Sequence, residues 1–421
     1  MPPTIFPTGV TIYWPDKAYN CLVIFDGRDQ KSYLIDMNGN DVHIWNYSGF
    51  PSEMIDPGLN NGKRGHIFAQ KEPEMFANQT LLELDWDGKV VWEWGSKAPG
   101  GKAWQNHDLA RLPNGNTLVN SKLTHVVPGL SDEPINDQPI YEVTPDGDIV
   151  WQWNSGEHLD ELGFSKAAQK LMLSKTRRPG SFLMGVNNMQ PLGPNKWHKA
   201  GNEVFHPDNI IIDAREGNFV AIIEKKTGKV VWRLGPDFPA AYDFSKATFS
   251  GEIPRPVDMI CGQHDAHMIP EGLPGAGNIL IFDNNGSAGF PPFYLGSHPG
   301  SRILEINPIT KNIVWQYDAS YSNKTYWAFY SSFISSSRRL PNGNTLICEG
   351  MHGRLFQVTP EGEIVWEYLN PHFGNLGPSF GGKSTNWVFR GQPVPYDWVP
   401  EGTPHSENPV IPPKITEFHI R

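Results

Sequence analysis

Short runs of alternating apolar and polar residues recur along the chain as one repeated unit. Its clearest copy is Leu340–Tyr368, LPNGNTLICEGMHGRLFQVTPEGEIVWEY. The pattern predicts a strand, a Pro-Asn-Gly-Asn turn, two further strands, a Gly-containing turn and a fourth strand ending Trp-x-aromatic. The closing pair of strands can be followed through YLIDMNGNDVHIWNY (Tyr33–Tyr47), LLELDWDGKVVWEW (Leu81–Trp94), IYEVTPDGDIVWQW (Ile140–Trp153), VAIIEKKTGKVVWRL (Val220–Leu234), ILEINPITKNIVWQY (Ile303–Tyr317) and LFQVTPEGEIVWEY (Leu355–Tyr368). Gly and Asn in the turns tolerate the positive φ of tight hairpins. Trp45, Trp92, Trp151, Trp232, Trp315 and Trp366 set the register. LARLPNGNTLVNS (Leu109–Ser121) and SRRLPNGNTLICEG (Ser337–Gly350) repeat the opening hairpin, and NIIIDAREGNFVAII (Asn209–Ile223) reads as a degraded copy. Two hairpins make a four-stranded antiparallel sheet. Six such sheets predict an all-β, six-bladed propeller over residues 1–369.

Beyond Tyr368 the chain is rich in Pro and Gly, with a strand predicted at Trp387–Arg390. Residues 370–421 are expected as an extension packed on the propeller, with completion of a blade as the alternative. Spacing between the closing tryptophans is widest in the middle blades. Insertions are therefore placed at Gly156–Glu203, which contains a short predicted helix, at Pro236–Gln263 and at Gly286–Ser301. Such loops gather on one face of a propeller and shape a pocket.

Composition narrows the function. The 15 Trp and 22 Phe suit packing between blades. A net charge of −10 with scattered Lys and Arg argues against a nucleic-acid partner. No run of apolar residues is long enough to span a membrane. Cys21, Cys261 and Cys348 sit singly and read as buried or free thiols. The start lacks a basic stretch followed by an apolar one, so a cytoplasmic location is expected, or a periplasmic one had a leader been removed. Oligomeric state is not legible.

Histidine carries the candidate chemistry. His107 in QNHDLARLPNGN and His264 in GQHDAHMIPEG stand at the same place before their turns, each followed by Asp. EVFHPDNIII, read as the start of blade four, offers His206 and Asp208, and GKRGHIFAQ, read as the start of blade two, offers His66. Imidazoles around one channel supply acids and bases near neutral pH, a nucleophile, or ligands for a divalent transition metal.

FHPDNIII, GQHDAHMIP with GNILIFDN, SRILEINP, RRLPNGNTLICEG, the opening PTGVTIYWPDKAYN and the late VFRGQPVPYDWVP together resemble the arylsulfotransferase family over nearly the whole chain. The resemblance implies a propeller whose channel histidines carry a sulfuryl group from an aryl sulfate to a phenol. It implies catalytic roles for His206 and His264, with Asp208 standing where the family has Asn. The family's arginine after the FDN strand is missing, and Ser335 stands where its nucleophilic histidine is expected. His352 is the nearby histidine, and Arg338 or Arg339 the nearby cation. An aromatic substrate would be clamped by Phe293, Tyr294 and Trp327. Two alternatives follow from the departures. One is a hydrolase or lyase using a metal on His66, His107, His206 and His264, or a His acid–base pair with Tyr330. The other is a non-catalytic binding propeller.

Overall fold

A computed structural model describes residues 8–71, 79–176, 184–235, 260–286, 300–375 and 382–412. Six antiparallel sheets of at least four strands follow one another as the blades of a propeller. Blade two runs outward through Glu53–Met54, Ile67–Gln70, Leu81–Leu84 and Val90–Trp94. Blade three comprises Gln105–Arg111, Thr117–Ser121, Pro139–Val143 and Ile149–Asn154. Blade four comprises Val186–Pro191, Ile210–Ala214, Phe219–Ile223 and Val230–Leu234. Blade five comprises His264–Met268, Ile279–Asp283, Arg302–Ile306 and Ile313–Tyr317. Blade six comprises Ser336–Arg339, Thr345–Glu349, Arg354–Val358 and Ile364–Leu369, with Gly9–Tyr13 as a fifth, outermost strand. The predicted helix is present as Lys166–Thr176. No helix among the described residues is long and apolar enough to cross a membrane. All three cysteines are buried and unpaired with one another.

Blade one closes the ring. Its inner strand is Gly391–Val394, paired with Leu22–Asp26, and Ser32–Ile35 and Asp41–Trp45 complete it. The segment after 369 is therefore more than an extension on the surface, because it supplies a strand of the first blade. The strand expected at Trp387–Arg390 begins one residue beyond that stretch.

Alternation explains the apolar pattern. In blade four, Ile210 and Ile212 pack toward blade three, while Ile211 packs toward Ala266 and Met268 of blade five. Strands buried on both faces read as continuous apolar runs. The six register tryptophans share one further bond. Each donates its indole N–H to a carbonyl in the outer turn of the next blade: Trp45 to Asp85, Trp92 to Pro145, Trp151 to Lys225, Trp232 to Pro308 and Trp315 to Pro360. Trp366 completes the circle by donating to Met37 of blade one at 2.8 Å.

Antiparallel order also sorts the loops. Connections between second and third strands, and crossovers to the next blade, all leave from the face where the inner strands begin. The tight turns occupy the opposite face. The insertion expected at Gly156–Glu203 is split by the inner strand Val186–Pro191: the part before that strand lies on the first face, and the part after it on the turn side. Most of Pro236–Gln263 and Gly286–Ser301 lies outside the described residues.

Two strand assignments differ from expectation. EVFHPDNIII leads into the second strand of blade four, whose inner strand is Val186–Pro191, VNNMQP. HIFAQ is likewise the second strand of blade two, and the inner strand is only Glu53–Met54. An inner strand faces the polar axis and need not be apolar, so the apolar run beside it was the stronger signal.

Candidate active site

Inner strands begin on the loop-rich face, and there the structure gathers His107 and His264. Phe389 lies between them, with ring centroids 5.8 Å from His107 and 6.4 Å from His264. Phe50 packs 5.5 Å from His107 and 4.2 Å from Phe389. Phe333, Met351 and Trp387 extend this apolar wall. Asn187, second in the inner strand of blade four, and Ser335, just before the inner strand of blade six, stand at the starts of their strands.

The two histidines differ. His264 is buried and both its nitrogens are engaged. Nδ1 donates to Asn284 Oδ1 at 2.8 Å and to the Gly262 carbonyl at 3.0 Å, and Nε2 accepts the Ile334 N–H at 3.0 Å. That fixes its tautomer and leaves no lone pair for substrate. His107 is partly exposed, and its Nδ1 is buried. Burial first, then the charges of Arg215 and Arg390, hold the His107 imidazole down at about 3. Burial and Arg215 likewise keep His264 well below the ordinary histidine range. Both rings are neutral at pH 7.

The cations on this face were missed in the sequence. Arg215 follows the second strand of blade four and pairs with Glu216. Arg28 follows the second strand of blade one, pairs with Asp26, and stands 5.7 Å from the Phe50 ring. Both sit in turns just past an apolar strand, and that position was the available signal.

Other expected residues lie elsewhere. His66 is on the turn side of blade two, bonded to Glu83 at 2.7 Å. His206 is on the turn side of blade four, against His198 with ring centroids 4.8 Å apart and near Glu203. Asp208 is exposed beside it. A five-residue strand separates His206 from the His264 end of the disc, so His66, His107, His206 and His264 do not form one metal site. Arg338 pairs with Asp265 at 2.7 Å and lines a cavity of about 350 Å³ with His267 and Gln190 on the turn side. Arg339 is buried against Glu305. His352 is on the loop-rich face, exposed, and bonds the Tyr330 carbonyl at 3.1 Å. Trp327 is 61% exposed and meets the edge of Tyr330. Burial raises the Tyr330 hydroxyl, which keeps its proton. Phe293 and Tyr294 lie outside the described residues.

One level below the histidines the axis is closed. Arg390, one residue after Phe389, donates through Nη1 to Asp108 at 2.9 Å and Glu53 at 3.2 Å, and through Nη2 to Asn188 at 3.1 Å. Its Nε is 3.3 Å from Asp265. Burial alone would weaken the guanidinium's hold on its proton, and Asp108, Asp265 and Glu53 outweigh it. Asp108 and Asp265 thus serve Arg390 and the next blade's backbone, accepting Met189 N–H and Ser337 N–H, and do not orient the imidazoles.

Residues 14–370 match the arylsulfotransferase (ASST) family. The chain belongs to that family. No curated protein matches it. Among solved structures, this arylsulfotransferase-family chain is similar to a Bacteroides caccae protein of unknown function, at 14% identity over 89% of this chain and 99% of that one, with a TM-score of 0.47. It is also similar to Saccharomyces cerevisiae Sqt1, at 9% identity over 88% and 87%, TM-score 0.42. A third is the Staphylococcus aureus virginiamycin B lyase, at 11% identity over 87% and 86%, TM-score 0.38. Likenesses this distant carry no argument about activity, the lyase included. The family favours a transferase over the hydrolase, lyase and metal-binding alternatives.

Buried neutral histidines tie stability to pH. His267 is held well below its ordinary value by burial and then by Arg338. The unfolded chain binds a proton there near pH 6.5, and the folded chain does not. Its contribution is complete above 6.5 and is lost as pH falls. Asp213 and Glu53, raised by burial, act with the opposite sign, so the effect is read by difference. The stability gap between the native chain and His267→Gln should shrink from pH 7.5 to 5 in urea unfolding. A constant or widening gap would contradict this assignment.

Proposed function

We propose that the protein transfers a sulfuryl group from an aryl sulfate to a phenolic acceptor through His107. The observation that supports this most is a neutral, partly exposed imidazole set against Phe50 and Phe389, with Arg28 and Arg215 on the same face. Aromatic walls suit an aryl ring, and guanidiniums suit sulfonate oxygens.

In the first half-reaction the His107 Nε2 lone pair attacks sulfur. The sulfur–aryl oxygen bond breaks, and the aryl oxide leaves with the electron pair. Arg215 and Arg28 offset the charge on the sulfonate oxygens. In the second half-reaction the acceptor oxygen attacks sulfur, the S–N bond breaks, and the acceptor's proton ends on the departed aryl oxide through solvent or Tyr330. His264 braces the site through Asn284 and Ile334 and takes no proton.

p-Nitrophenyl sulfate tests this reading. Without acceptor, an alkaline-quenched sample should gain the mass of one SO₃, mapped to the His107 peptide. Added phenol should remove it and restore turnover. Arg215→Ala should lower kcat/KM about a hundredfold, with partial recovery in Arg215→Lys. Nitrophenol release to water with no sulfo-protein, or no reaction with any phenolic acceptor, would overturn the proposal.

A further inference from the structure

The strand starts that carry the two histidines are irregular. Pairing slips opposite His107, between Val119 and Ser121, and again between His264 and His267. His107 has φ 72° and Asp265 φ 57°, both in the left-handed region. Bulges of this kind re-aim side chains, and residues other than glycine stay in that region only where their surroundings hold them.

We infer that Arg390 is a positioning residue for sulfuryl transfer, clamping both bulged starts so that His107 and His264 face the aromatic wall. The inference rests on the function proposed above. Arg390 reaches the residue next to each histidine, Asp108 at 2.9 Å and Asp265 at 3.3 Å. The far oxygen of each carboxylate is taken by a backbone N–H of the following blade. Asn188 and Glu53 hold the guanidinium from blades four and two. Four blades therefore meet on one planar group, which no ammonium can span. It arrives last in the chain, from the VFRG segment that also delivers Phe389 to the wall.

Charge adds a second effect. The groups facing His107 are Arg215, Arg390 and His264, with Asp108 next in the chain and Arg28 across Phe50. Losing Arg390 removes one cation and leaves the Asp108 and Asp265 carboxylates without that partner. Both changes favour a protonated His107, which is not a nucleophile.

The test is an NMR titration of ¹⁵N-histidine-labelled full chain, with the His107 signal assigned through His107→Gln. In Arg390→Gln the His107 midpoint should move up toward the ordinary histidine range, and kcat should fall about a hundredfold with KM much less affected. Arg390→Lys should return the midpoint downward without restoring kcat. Should Arg390→Gln fail to fold, Arg390→Lys and the double variant Arg390→Gln/Asp265→Asn carry the same comparison. A folded variant with an unmoved His107 midpoint and kcat within about twofold of native would overturn the inference. Titration needs no turnover, so a native chain that transfers no sulfuryl group would sink the proposed function and still leave Arg390 to be judged by the midpoint.

Discussion

His107→Ala should lower sulfuryl transfer by about a thousandfold or more, since a nucleophile has no substitute in its own covalent step. The sulfo-protein should vanish with it. Melting temperature should change little, because the ring is partly exposed and its neighbours Phe50 and Phe389 keep each other covered. His264→Ala should behave in the opposite way. It orphans the Ile334 N–H and the Asn284 carboxamide oxygen in a buried site, at a cost of about 1–3 kcal/mol. Activity then falls with the folded fraction and the geometry, and sulfo-protein still forms at reduced rate. Steady-state kinetics, intact mass and calorimetry on the two variants separate the roles. A His107→Ala chain that still accumulates the adduct would move the nucleophile elsewhere, with His352 the next residue to replace.

Ending the chain after Thr385 should abolish cooperative folding. The cut removes Val388, Phe389, Val394 and Val399, all buried. At about 1.5–3 kcal/mol each, burial of these four side chains contributes about 6–12 kcal/mol, comparable with a whole folding margin of about 5–15 kcal/mol. Arg390 goes with them and leaves Glu53, Asp108 and Asp265 facing one another around the axis. Leu22–Asp26 would become an open inner edge. A peptide covering Asn386–Pro412, added in trans, should restore a sharp thermal transition. A truncated chain that melts cooperatively within a few degrees of the full one would refute this account of ring closure.

Much of the fold was legible because each blade repeats a local rule. Tight turns demand Gly or Asn, and the outer strand demands a tryptophan able to reach the next blade's turn. Those signals survive in all six copies, from Trp45 to Trp366. The inner strands obeyed no such rule. VNNMQP and Glu53–Met54 carry polar residues for the axis, so neighbouring apolar runs took their place and drew His206 and His66 into the expected site. His107 and His264 do lie on one face, against Phe389, because their strands run into the repeat's own turn at the same spacing.

By itself, then, the chain's pattern determined the blade count, the antiparallel order and the pairing of His107 with His264, since each follows from local periodicity and turn chemistry. Tertiary structure alone decided that residues near 390 join those near 25, that Arg28 and Arg215 share a face with the histidines, and that Asp108 and Asp265 answer to Arg390. Each of these joins residues from different blades, in the last case Asp108 and Arg390, 282 positions apart in the chain. No periodicity encodes such a meeting. It arises only when the ring closes and six strand starts converge on one axis, where buried charge must find a partner.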